Sequence, residues 1–203
     1  MYFWRDKYFK SLKDVAAEAR GIPEWSDYAA FCDEYERGLR GEAFTILERF
    51  ICSLERAPFT DRRRFVSWLL RQADGREGRH MLGPHPLRVR IIEPTLLEWI
   101  VVEPECSEPH LWLGGYEHLK HAIELAPDDE LAKRKLIILI LRRVGLASHE
   151  LPVWYLGNAN EDLAVLREAE VLLQGLPSED DRRQLAAKIG EKRKLIQEYL
   201  GQR

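Results

Sequence analysis

Apolar positions along the chain recur mostly at steps of three and four with polar residues between them, the period of helices that bury one face. Trp4, Tyr8, Leu12, Val15 and Ala19 form such a stripe and predict a helix over about 4–20, stopped at Gly21. Pro23 suits the first turn of a second helix, whose stripe is Trp25, Tyr28, Cys32, Tyr35 and Leu39. Gly38 and Gly41 mark the turn into a third, with Ala43, Leu47, Phe50, Ile51 and Leu54 inward. Thr60 is placed to cap a fourth that buries Phe65, Trp68 and Leu69. Residues 75–86 carry Gly and Pro at short intervals and predict a loop, the best place for a sub-domain boundary. The helix expected over about 87–102 contains Pro94 and should kink or divide near Ile91.

Residues 104–144 hold the most apolar run, Leu136 to Leu141. They read as two helices joined at Pro127-Asp128-Asp129. In the first, Trp112, Tyr116, Leu119 and Ile123 share one face, and His110, Glu117, His121 and Glu124 the other. Gly114 and Gly115 fall inside it, so either a neighbour approaches closely there or the helix breaks there. The second, from Leu131 to Val144, is apolar nearly all round, which predicts a central helix covered on several sides. Its run is too short to cross a membrane, which takes roughly 20 apolar residues. Ile138→Asp is expected to unfold the protein.

The pattern Ala122-Ile123, Pro127-Asp128-Asp129, Ala132 and Leu136 resembles the junction between tetratricopeptide repeats, and Trp112-Leu113-Gly114 resembles that repeat's Trp/Leu/Gly signature. The second and third helices resemble a second, weaker hairpin of the same type. The spacing departs from the family: Pro104 and Pro127 lie 23 residues apart, against a repeat of about 34. The resemblance implies stacked antiparallel helices and, by analogy, a protein-binding role.

A second long loop is expected over 146–160, followed by a helix capped by Asn160 and ended by Gly175 and Pro177. Ser178 and Asp181 imitate a capping box at the start of a last helix bearing Leu185, Ile189, Ile196 and Leu200. Nothing reads as a strand. The expected fold is all-α: about nine helices, as antiparallel hairpins stacked in a tetratricopeptide-like array or bundle, forming a single domain over 1–203.

Composition is that of an ordinary globular chain of 203 residues, 45% hydrophobic and 32% charged, with a net charge of −3. That charge argues against general binding to nucleic acid or a membrane surface. It is unevenly placed. Eight arginines against three acids give residues 61–90 a charge of +5, and eight acids against three arginines give residues 18–48 a charge of −5. The two segments either neutralise each other or offer a partner surface that includes Arg62, Arg63 and Arg64. Cys32, Cys52 and Cys106 have no metal-type spacing and suggest free thiols in a reducing compartment. The opening residues mix Arg5, Asp6 and Lys7 with aromatics, unlike a secretion signal. The expected location is therefore the cytoplasm.

Two clusters invite chemistry. His110, Glu117 and His121 suggest a metal face, set against a solvated helix back. His149, Glu150, Trp154 and Tyr155 suggest a polar site beneath aromatics, set against a loop pinned to the core. No nucleophile elbow, phosphate loop or dinucleotide fingerprint is present. The expectation is a non-catalytic protein-binding module with no cofactor or metal, of adaptor, chaperone or immunity type and suited to a bacterium. Arg62, Arg63, Arg64, His149, Glu150, Trp154 and Tyr155 are its partner-binding residues. The alternative is a metal- or base-dependent enzyme using the 146–160 loop or the histidine face.

Overall fold

A computed structural model describes residues 6–151 and 153–201, with side chains from Phe9 onward. It is all-helical, without a strand among those residues. No helix among them is long and apolar enough to cross a membrane. The chain forms two compact units, Met1–Pro104 and Glu105–Arg203.

The first unit contains α1 (Asp6–Ala19), α2 (Ser26–Glu36), α3 (Arg40–Glu55), α4 (Phe59–Ala73), α5 (Arg79–Leu82), α6 (His85–Leu87) and α7 (Glu93–Val102). Trp4 and the Tyr8 side chain lie outside what is described. Leu12, Val15 and Ala19 are buried as their spacing requires. The core is aromatic: Tyr28 meets Phe65 edge-on at 5.1 Å, and Phe50 meets Phe65 at 4.8 Å. Residues 75–86 fall inside this unit and are not a bare loop. They include α5, whose Met81 and Leu82 are buried against the core. The Tyr28 hydroxyl donates to the Leu82 carbonyl at 2.7 Å, tying α2 to this segment. Tyr28→Phe should therefore lower stability by about 1–2 kcal/mol, read as a lower urea midpoint at unchanged slope.

Three local expectations change. Leu39 is 39% exposed and immediately precedes α3 instead of extending the α2 stripe. Thr60 lies within α4, and Pro58, which has no side-chain donor or acceptor, holds the cap position. Near Ile91 a π-helical segment, Arg88–Ile92, runs straight into α7. Pro94 has no N–H to give the preceding turn, and a widened turn accommodates the loss.

The second unit contains α8 (Ser107–Leu113), α9 (Tyr116–Leu125), α10 (Glu130–Ala147), α11 (Ala159–Leu173) and α12 (Glu179–Gly201). Gly114 and Gly115 adopt φ of 67° and 78°, so the helix breaks there into α8 and α9. Asp129 accepts from the Ala132 N–H at 3.0 Å and caps α10. Ser178 does the same for α12, accepting from Asp181 N–H at 3.2 Å. The cap of α11 is Asn158, which accepts from the N–H groups of Asn160 and Glu161; Asn160 itself lies inside the helix. Each helix packs on the next, and α10 also packs on α12. Leu136, Ile137, Ile140 and Val144 of α10 are buried with Leu119, Leu166, Ile189 and Ile196. Ile138, Leu139 and Leu141 are only partly covered. The helix that looks central in sequence thus has a side that its neighbours cover only in part.

Candidate functional site

The partly covered side of α10 carries Leu139, Arg142, Arg143 and Leu146, spaced i, i+3, i+4 and i+7 along one helical face. This face forms one wall of an open groove of about 590 Å³, whose other wall is Leu156, Gly157, Asn158 and Asp162. A smaller concavity of about 220 Å³, lined by Gly115, Tyr116, Ile140 and Val165, shares Leu139 and Arg143 with it. The two therefore run together along α10.

The far wall is held in place by specific bonds. The Leu156 N–H donates to the Ala147 carbonyl at 2.8 Å, joining the end of the 148–158 segment to the last turn of α10. Gly157, at φ 122°, turns the chain into the Asn158 cap. Tyr155 is buried, stacks on Tyr199 at 5.7 Å, and donates its hydroxyl to Asp162 Oδ2 at 2.5 Å. Burial, then the adjacent carboxylate, push the Tyr155 hydroxyl pKa up. Asp162 is itself only 2% exposed. Its Oδ1 receives no hydrogen bond and lies 3.2 Å from Arg143 Nε, a charge contact without hydrogen-bond alignment.

Four large apolar side chains of positions 146–156 are open to solvent. Leu146 is 71% exposed, Trp154 58% and Leu156 47%, with Val153 also exposed. His149 and Glu150 are occupied with each other at 2.9 Å, and His149 Nδ1 sits 2.6 Å from the Leu146 carbonyl. Of the four sequence candidates here, Tyr155 is a structural anchor, His149 and Glu150 form a surface pair, and Trp154 is presented to solvent.

Arg62, Arg63 and Arg64 belong to the first unit and are engaged within it. Arg62 pairs with Glu98 at 2.6 Å, and Arg63 pairs with Glu103 while its guanidinium lies 4.4 Å from the Trp99 ring. Arg64 sits over Trp25 at 5.4 Å. Further along the basic stretch, Arg76 meets Asp14 and Glu18, and Arg90 bridges Glu48 and Glu55. The Arg90 hydrogen bonds hold both glutamates below the usual carboxylate range. Much of the positive charge of residues 61–90 is thus matched inside its own unit.

The histidine face is rearranged by the break at Gly114-Gly115. His110 is buried rather than wetted, its Nδ1 lies 3.0 Å from His118 Nδ1, and its ring packs on His121 at 4.6 Å. His121 Nδ1 turns to Glu124, also at 3.0 Å, and Glu117 points to solvent. No group of three or more His, Cys, Asp or Glu among the described residues could hold a metal ion. Burial, then His121 and His118, lower the His110 pKa. The folded state therefore prefers neutral His110, and the contribution is present above the unfolded value of about 6.5 and lost as pH falls below it through the lowered folded value. Replacing His110 with Asn should give a shallower loss of melting temperature between neutral and mildly acidic pH. Identical slopes would contradict this.

Leu139, Arg142, Arg143 and Asp162 were not among the residues singled out from sequence. The available signal was the adjoining Arg142-Arg143 after an apolar run that lacks a polar face. Chemically, the groove offers apolar walls, exposed guanidinium groups and a buried carboxylate, a combination suited to binding. No protein-family model matches the chain, and no curated protein or solved structure is significantly similar to it.

Proposed function

We propose that the protein is a non-catalytic protein-binding module of helical-hairpin, tetratricopeptide-like character, of adaptor, chaperone or immunity type, and that it binds through the α10–α11 groove of its second unit. The observation that carries this reading is the uncovered apolar surface. Single exposed apolar residues are common on proteins. Here Leu146 and Leu156 both line one concavity, and Val153 and Trp154 precede Leu156 by three and two positions. Apolar clusters of this kind mark interaction sites, and exposed tryptophans are frequent anchors of binding energy. The sequential packing of α8 to α12 supports the hairpin character. Because Arg62, Arg63 and Arg64 have partners inside the first unit, Trp154 and its neighbours replace them as the proposed contact surface.

The test is affinity capture from lysate of the source cells with wild type, with Leu146→Ser/Trp154→Ser, and with glutamate at positions 62, 63 and 64. The expected result is one dominant protein held by wild type and by the arginine variant. The groove variant should hold it at least about tenfold more weakly at an unchanged melting temperature. Loss in the arginine variant alone would move the surface to the first unit, and capture of nothing across salt conditions would sink the reading.

A further inference from the structure

Building on that protein-binding reading, we propose that the occupant of the groove is an acidic amphipathic segment of another protein, with apolar residues seated on Leu139, Leu146 and Leu156 and carboxylates facing Arg142 and Arg143. Charge complementarity is the main argument. Arg142 is exposed and makes no ion pair among the described residues. Arg143 has Asp162 as counter-ion, but the two are unequally presented. The Arg143 side chain is 51% exposed and that of Asp162 only 3%, so the pair shows its cation to solvent. Glu161, which accepts from Asn158 Nδ2 at 2.8 Å, and Glu150, which sits against His149, do not line the groove.

Geometry narrows the occupant further. On α10 Leu139 and Leu146 flank Arg142 and Arg143 along one helical strip, and a helix laid in a groove presents its apolar anchors and its charged flank at the same repeat. The groove is open and continues toward the smaller concavity, whereas small-molecule sites enclose most of their ligand. A second copy is disfavoured, because a two-fold contact would set this arginine-bearing face against itself.

The experiment uses the full chain and two fluorescently labelled synthetic peptides of equal length and identical leucine pattern, one with glutamates on its polar face and one with lysines. Binding is followed by anisotropy at low and high salt, with wild type, Arg142→Glu and Leu146→Ser. The glutamate peptide should bind at least about tenfold more tightly at low salt, with the gap narrowing as salt is added. Arg142→Glu should reverse the preference, and Leu146→Ser should weaken both peptides. Equal binding, a preference for lysine, or binding of neither peptide overturns the proposal, as does self-association that Leu146→Ser abolishes. If neither peptide binds while the lysate partner is still lost from Leu146→Ser/Trp154→Ser, the acidic occupant is wrong and the protein-binding reading stands. If the lysate also yields nothing, both fall.

Discussion

Ile137→Asp should unfold the second unit. Ile137 has no exposed surface and sits in the cluster that α10 shares with α9, α11 and α12. A carboxylate placed there loses its hydration and gains no partner, and it also forfeits the burial of a branched aliphatic side chain, worth about 1.5–3 kcal/mol on its own. The combined loss belongs to the rare class above about 4–5 kcal/mol, comparable with the whole stability of a small domain. Far-ultraviolet circular dichroism should show a large loss of helix. Ile138→Asp should be milder despite lying one position on, because Ile138 is only partly buried and its new charge can reach water. Leu139→Asp should likewise be milder in stability and should also reduce partner binding, since Leu139 is partly buried and lines the groove. If the three variants were equally destabilised, the partly covered side of α10 would not exist as described.

That ordering also shows what the sequence could convey. Periodicity reports which sides of α10 are apolar; it does not report which are covered. An apolar helix in a closed core and one that leaves a strip for a partner have the same pattern, so Ile138 and Ile137 look equivalent until the neighbouring helices are placed. The helix break at Gly114-Gly115 was readable as one of two possibilities, because adjacent glycines permit the two positive φ angles it needs. The charged groups were harder. Arg62 and Arg63 find Glu98 and Glu103 at separations of 36 and 40 residues, a distance no local rule spans. Asp162 stands in the first turn of α11, where an acid complements the helix dipole. Its burial is not readable from the chain, since it depends on the packing of Tyr155 and of α10 against it. Residues 75–86 mislead for a related reason: Gly and Pro punctuate the chain there, yet Met81 and Leu82 between them fill the core.

Removing the Tyr155–Asp162 bond should loosen the wall of the groove without altering its lining. Tyr155→Phe deletes the one hydrogen bond the buried carboxylate receives among the described residues, and hydrogen bonds to charged groups are worth about 1.5–3 kcal/mol. Asp162→Ala should cost more, about 2–4 kcal/mol, because it orphans a buried hydroxyl and also removes an acid from the first turn of α11. Asp162→Asn keeps an acceptor for Tyr155 and should fall between wild type and the alanine variant. An alkaline signature accompanies this. The Tyr155 pKa is raised in the fold, so its contribution is complete below the unfolded value of about 10 and is lost as pH rises through the folded one. Tyr155→Phe should therefore be less sensitive to alkaline pH than wild type, measured as melting temperature against pH. The same variant should weaken capture of the partner even though Tyr155 itself is buried, because the segment it anchors carries Trp154 and Leu156. Unchanged stability together with unchanged capture would mean that this bond neither shapes the groove nor supports its function.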